Sequence, residues 1–211
     1  LTAGAIASIL EISARIVDSN SKLSSQFGAL YTLLREASFF AKEAGSAEIR
    51  AQDINTALGA RGERENVYQR HMMDMYTQNI FTVATSGKVV GQINGLAVMG
   101  AFGVPMRITI TAGPGAPGVV SVDREAGSTG SSFIKALGVV EGFLQNTFGQ
   151  KSPMSAKIRI SFEQNYGGID GDSATSTEIY GILSRLSDTP LRQDAAVTGS
   201  SDQFGAVQAI G

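Results

Sequence analysis

The spacing of apolar residues changes character once along this chain, near Asn79, and that switch limits its fold more than any other feature. Before it, apolar residues recur at intervals of three and four; after it, they alternate. A repeat of about 3.6 buries one stripe of a helix, whereas a repeat of two buries one face of a strand. The chain therefore divides into an all-helical part, residues 1–78, and an α+β part, residues 79–211.

In the first part, Ile6, Ile9, Leu10 and Ile16 predict a helix over 1–17. The polar run Asp18-Ser19-Asn20-Ser21 breaks it, and Ser24 is placed to cap a second helix. That helix presents Phe27, Leu30, Tyr31, Leu34 and Ala41 as its apolar face and stops at Gly45. A short third helix over 52–58 buries Ile54 and Leu58 and ends at Gly59. A fourth, 63–77, carries Val67 and the cluster Met72, Met73 and Met75, which reads as packing surface.

In the second part, 80–83, 89–98 and 106–111 read as strands, with Ser86-Gly87 as a hairpin turn. Met106, Ile108 and Ile110 share one face of their strand, and Arg107, Thr109 and Thr111 share the other. Gly113-Pro114-Gly115-Ala116-Pro117-Gly118 is a loop on turn chemistry, and 119–122 is a strand. A long helix over 131–148 carries Phe133, Leu137, Val140 and Leu144 on one face. The strand 157–162 follows, then a helix bearing Ile179, Leu183 and Leu186. Short strands at 195–198 and 206–210 flank a turn at Asp202-Gln203-Phe204-Gly205.

Composition narrows the chemistry. With no cysteine, disulfide frameworks, zinc–thiolate clusters and a cysteine nucleophile are excluded for this stretch. A net charge of −2 and no Lys/Arg cluster argue against a nucleic-acid partner. Arg61, Arg64 and Arg70 are interleaved with Glu63 and Glu65 and read as a solvated helix face. No apolar run reaches the length of a membrane span and no signal-peptide pattern opens the chain, so no membrane partner is expected and a cytoplasmic setting is the default. Leu1 falls inside a helix and Gly211 inside a strand-like run; both ends read as cuts in a longer protein.

Several segments carry candidate chemistry. Gly127-Ser128-Thr129-Gly130-Ser131-Ser132 has the look of a phosphate cradle, but no Gly-Lys-Ser/Thr closes it, and a loop is the plainer reading. Gly171-Asp172-Ser173-Ala174 places a serine at a glycine-flanked strand-to-helix junction. There a hydroxyl can be held exposed with backbone N–H groups around it, as acyl transfer requires, although a simple N-cap has the same letters. Asp170 and Asp172 fit caps for the helix that follows, or tuning groups for that serine. The single histidine, His71, lies in the methionine-rich helix and reads as a surface or packing residue. A lysine base is the alternative to histidine, yet Lys135, Lys151 and Lys157 all precede Ser173 and no lysine follows it.

Phe162-Glu163-Gln164-Asn165-Tyr166-Gly167-Gly168-Ile169-Asp170-Gly171-Asp172-Ser173-Ala174 resembles the nucleophile segment of Lon proteases. So do Pro190-Leu191-Arg192-Gln193-Asp194, Val197-Thr198-Gly199-Ser200 and Gly205-Ala206-Val207-Gln208-Ala209-Ile210-Gly211. Asp rather than Pro before the serine matches the B-type and related Lon-like branch. Gly91-Gln92-Ile93-Asn94-Gly95-Leu96-Ala97-Val98 and Pro105-Met106-Arg107-Ile108-Thr109 are similar to the entry into that proteolytic domain. Residues 1–78 look like the C-terminal part of an AAA+ α-helical lid with a connecting helix, and 79–211 like a C-terminally truncated Lon-type protease domain.

The resemblance implies a serine endopeptidase that degrades unfolded or damaged polypeptides through a Ser-Lys dyad. In it Ser173 is the nucleophile, backbone N–H groups of Gly171, Asp172 and Ser173 form the oxyanion site, and Thr198 hydrogen-bonds beside the dyad. The lysine is expected a few residues beyond Gly211, so this stretch holds half a dyad. The implied fold is the α+β domain shared with a ribosomal small-subunit protein, and the implied assembly is a homo-oligomeric ring, a hexamer. No cofactor is expected in this stretch, and ATP with Mg is the candidate for the longer protein; Arg15 and Arg35 read either as nucleotide-sensing arginines of the lid or as structural ion-pair residues. The strand near 119–122 is a candidate for peptide binding by edge addition. The alternative is a proteolytically inert ring-forming scaffold in which Ser173 is only a cap.

Overall fold

The computed structural model describes residues 1–100 and 102–209. The chain forms two compact units, Leu1–Asp74 and Met75–Gly211, so the division falls a few residues ahead of the change in periodicity.

The first unit is helical: α1 (Ala3–Ile16), α2 (Phe27–Glu43), α3 (Ala51–Glu65) and the start of α4 (Val67–Thr77). Thr2 caps α1, its hydroxyl accepting from the Ala5 N–H at 3.3 Å. Asp53, at the third position of α3, reaches back to the Arg50 N–H at 2.7 Å. The core is made of small residues, Ala5, Ala37 and Ala57, around Leu33 and Ile54, so the three helices approach closely. Gly45, at φ 69°, ends the second helix as expected.

Two expectations for this unit fail. Ser24 is not the cap of α2, which starts after Gln26: its Oγ accepts from the Gln26 N–H at 3.1 Å, and its own N–H donates to Ser13 Oγ at 2.9 Å, pinning the connecting loop to α1. The third helix runs through Gly59 and Gly62 to Glu65. An interior glycine costs about 1 kcal/mol but does not stop a helix that has tertiary partners. Here Arg61 and Arg64, both beyond Gly59, reach Glu36 of α2 at 3.0 and 2.9 Å. The arginines hold the Glu36 carboxyl below its usual range, Arg61 most strongly, against a smaller effect of burial.

The second unit is α+β. It contains β1 (Lys88–Val89), β2 (Gln92–Met99), β3 (Phe102–Pro114), β4 (Gly118–Ser121), α5 (Val122–Glu125), α6 (Ser131–Phe148) and β5 (Ala156–Phe162). Then come α7 (Thr175–Ser187), β6 (Leu191–Arg192), β7 (Ala196–Val197), β8 (Ser200–Ser201) and β9 (Val207–Gln208). Five strands form a mixed sheet in the order β4-β5-β3-β2-β7. β4 is parallel to β5 and β7 parallel to β2, while β2, β3 and β5 run antiparallel. The register pairs Ile108 with Phe162 and Ile110 with Ile160, which stacks the alternating apolar positions on one face. Phe133, Leu137, Val140 and Leu144 of α6 and Ile179 and Ile182 of α7 close that face into one core.

Residues 80–83 are not a strand. Gln164, at φ 55°, holds them instead: its Oε1 accepts from the Thr82 N–H at 2.9 Å and its Nε2 donates to the Ile80 carbonyl at 2.7 Å. With no strand before it, Ser86-Gly87 makes no hairpin, and β1 pairs with β6. The expected loop at 113–118 is partly strand, because β3 extends to Pro114 opposite Ala156.

Candidate active site

Ser173 sits in the turn that enters α7, half-buried, between Gly171 and the first helical residue, Thr175. Gly171 stands at φ 107°, a conformation that L side chains rarely adopt, and this lets the chain swing from the loop after β5 into the helix. The Asp172 carbonyl then accepts from the Thr175 N–H at 3.1 Å and from the Thr175 hydroxyl, closing the turn.

The segment 196–200 runs beside this turn and grips it. The Ser173 carbonyl accepts from the Gly199 N–H at 2.6 Å and from Thr198 Oγ1 at 3.3 Å. The Gly199 carbonyl in return accepts from the Ser176 N–H at 2.9 Å. Thr177 Oγ1 donates to the Val197 carbonyl at 2.8 Å, and Ser200 Oγ donates to Asp172 Oδ2 at 3.1 Å. The turn is thus fixed through its backbone. Among the described residues the Ser173 hydroxyl and the N–H groups of Asp172 and Ser173 make no hydrogen bond, and they stand at the N-terminal, electropositive end of α7.

α7 lies hard against the sheet. A Cβ on Gly181 would come within 2.3 Å of Ile110 Cδ1 and 3.3 Å of Ile93 Cγ2, so only glycine admits this approach.

Asp170 does not cap α7. Its Oδ1 accepts from the Phe133 N–H at 3.1 Å, which makes it the cap of α6. Hydrogen bonds from the N–H of Gly171, then from that of Phe133, hold its carboxyl below the usual carboxylate range. The N–H groups of Asp172 and Ser173 remain without a hydrogen bond among the described residues. The loops 127–130 and 166–170 are zipped together by Gly130 N–H to Ile169 at 2.8 Å and Ile169 N–H to Ser128 at 2.9 Å. They line an open depression of about 560 Å³ with Tyr166 at its rim. The phosphate-cradle resemblance of 127–132 has its physical answer here: the helix N-terminus already holds an anion, the protein's own Asp170.

Residues 1–64 match the family described as "Archaeal LonB, AAA+ ATPase LID domain". A Lon protease homologue of Escherichia coli (strain K12) is 31% identical over 185 residues, covering 85% of this chain and 32% of that protein. An archaeal Lon protease of Methanothermobacter thermautotrophicus is 26% identical over 209 residues, 98% of this chain and 32% of its own length. A Lon protease homologue of Haemophilus influenzae is 37% identical over 144 residues, 65% of this chain and 24% of its own length. The chain belongs to the Lon family, B-type. It spans about a third or less of the length of these Lon relatives.

None of the remaining candidates of this Lon chain forms a hydrogen bond with Ser173 among the described residues. His71 is exposed on α4 in the first unit, and the second unit has no histidine. Lys135, Lys151 and Lys157 are exposed, and none bonds to Ser173 among the described residues. Arg15 is paired with Glu11 at 2.5 Å, whereas Arg35 is exposed on α2 with no ion pair among the described residues. No group of acidic or histidine side chains fit to hold a metal occurs among the described residues, and no helix there is long and apolar enough to cross a membrane.

Two residues of this region escaped the sequence reading. Ser200 enters the sequence reading only as the last residue of the 197–200 segment, and only the paired strands bring it to Asp172. Glu178, on α7, is wholly buried, and neither carboxyl oxygen has a hydrogen-bond partner among the described residues. Burial pushes its carboxyl up to about 8, so it is mostly neutral at pH 7. The signal was there in part: a glutamate directly preceding Ile179 in the buried half of a helix.

Proposed function

We propose that this chain is the lid and proteolytic part of a serine endopeptidase that cleaves unfolded or damaged polypeptides through a Ser-Lys dyad. The observation that carries the reading is the backbone-clamped Ser173 turn with its hydroxyl and two N–H groups unengaged among the described residues. Ser173 Oγ attacks the scissile carbonyl carbon while its proton passes to a neutral lysine amine carried by chain beyond Gly211. The oxyanion that forms is met by the N–H groups of Asp172 and Ser173, in the field of the α7 N-terminus. Collapse expels the amine of the leaving peptide, which takes the proton from the lysine, and water then hydrolyses the acyl ester by the same route.

Substrate is held in extended form along β4, an edge strand of the five-stranded sheet, where backbone groups are open to pairing. The protein works in the cytoplasm as a homo-oligomeric ring, a hexamer, and its second unit adopts the ribosomal-protein-like fold. ATP with Mg serves the whole protein through its lid, where the exposed Arg35 is the residue disposed to meet a phosphate; hydrolysis there supplies the work of unfolding, and no step above runs through it.

The test is reaction of the full chain with a serine-directed fluorophosphonate, followed by peptide mass analysis. Modification at Ser173 that is lost when the first lysine after Gly211 is changed to alanine supports the dyad. An unmodified Ser173, or no lysine in that stretch of the gene, gives the lead to the inert ring-forming scaffold.

A further inference from the structure

Ser200 lies on β8, is 3% exposed, and makes contact with three separate elements. Its Oγ donates to Asp172 Oδ2 at 3.1 Å, on the residue just before Ser173. The same Oγ lies 3.4 Å from Gln208 Oε1 on β9, with which Ser200 is paired in the ladder. Its carbonyl accepts from Ser176 Oγ at 3.5 Å, in the first turn of α7. A hydroxyl has one proton, and a carboxylate is the stronger acceptor, so Asp172 receives it.

We infer that Ser200 is a positioning residue for the Ser173 nucleophile, its buried hydroxyl clamping the Asp172 carboxylate to the β8–β9 hairpin. This rests on the reading of Ser173 as nucleophile given above. The direction of the Ser173 N–H and hydroxyl depends on the backbone torsions between Asp172 and Ser173. Those torsions are bounded on one side by the Ser173 carbonyl on Gly199 at 2.6 Å and on the other by the Asp172 carboxylate on Ser200. Both anchors belong to consecutive residues of one short segment. Removing the second leaves this stretch held only through its carbonyls, that of Asp172 by Thr175 and that of Ser173 by Gly199 and Thr198, so the Ser173 N–H and hydroxyl gain freedom while α7 stays in place. The hairpin is itself well built: Asp202 Oδ1 accepts from the N–H of Phe204 and of Ala206, each at 2.9 Å. The clamp therefore has a rigid base.

The clamp is tested in the full chain with Ser200→Ala, Ser200→Thr, Asp172→Ala and the Ser200→Ala/Asp172→Ala pair, each checked for an unchanged unfolding transition. In peptide turnover, Ser200→Ala is expected to lower kcat about 10- to 100-fold with KM little changed, since what is lost is alignment. Ser200→Thr restores most of it, and the double variant falls no further than the worse single one. Amide hydrogen exchange across 171–175 speeds up in Ser200→Ala and returns to normal in Ser200→Thr, while the later turns of α7 do not change. A kcat within twofold of the parent, multiplying effects in the pair, or unchanged exchange overturns the clamp. Should Ser173→Ala retain turnover, the nucleophile reading fails, and the exchange measurement still decides whether Ser200 holds the turn.

Discussion

The Asp170 carboxylate fills the space that a side chain on Gly130 would need: a Cβ there would lie 2.2 Å from Asp170 Cγ. This one relationship ties the N-terminus of α6 to the loop that leads to Ser173, three residues on. It predicts that Gly130→Ala displaces the carboxylate, uncaps α6 and loosens the 166–171 loop. The expected loss is about 2 kcal/mol of stability in denaturant unfolding, with a fall in peptide turnover larger than the stability loss explains. A variant as stable and active as the parent would show that the two loops are not coupled.

Glu178 makes stability depend on pH in an unusual direction. Its value is raised from 4.5 to about 8 in the folded state, so the folded protein binds the extra proton between those values. Stability is therefore greatest below about pH 4.5 as far as this group is concerned, falls as pH rises toward 8, and levels off above. The slope is about 1.4 kcal/mol per pH unit where the difference is complete. Charged side chains on the elements packed against α7, among them Arg107 of β3 and Lys135 and Glu141 of α6, form no ion pair with it among the described residues. Glu178→Gln keeps the shape and removes the proton, so chemical unfolding at pH 5, 7 and 9 should show the variant gaining on the parent as pH rises. Parallel curves for the two proteins would contradict a neutral buried acid.

Gly181→Ala sets a methyl against two buried isoleucines of the sheet, Ile93 and Ile110. Overpacking of this kind costs about 1–3 kcal/mol. Because α7 carries the Ser173 turn, the same change should lower kcat, and Ile110→Val in the same chain, by making room at Ile110, should recover part of both losses. Full additivity of the two substitutions would place the defect elsewhere.

Elements with a strong, unbroken period are legible from the letters: the spacing predicts a helix over 131–148, where α6 spans Ser131–Phe148, and a strand over 157–162, where β5 spans Ala156–Phe162. Where a side chain from a distant segment overrides local preference, the letters mislead. Residues 80–83 alternate like a strand but are bonded to the Gln164 amide, 82 positions after Thr82. Gly59 reads as a stop but lies inside α3, because the cations beyond it have Glu36 to hold. The site divides in the same way. Ser173 and Gly171 stand out as sequence, since a strand-to-helix junction with glycine is a local pattern, whereas Thr198 comes only from the resemblance to Lon proteases. Of the two readings open for Asp170, a cap of α7 is not what the structure has, and Ser200 carries no role in the letters beyond closing the 197–200 segment, because both act on partners brought close only by the sheet order and the hairpin.

The most direct measurement is degradation of an unfolded polypeptide such as casein by the full chain, compared with its Ser173→Ala variant at matched oligomeric state. The account predicts cleavage by the parent and none above background by the variant. Equal turnover by both proteins would contradict it.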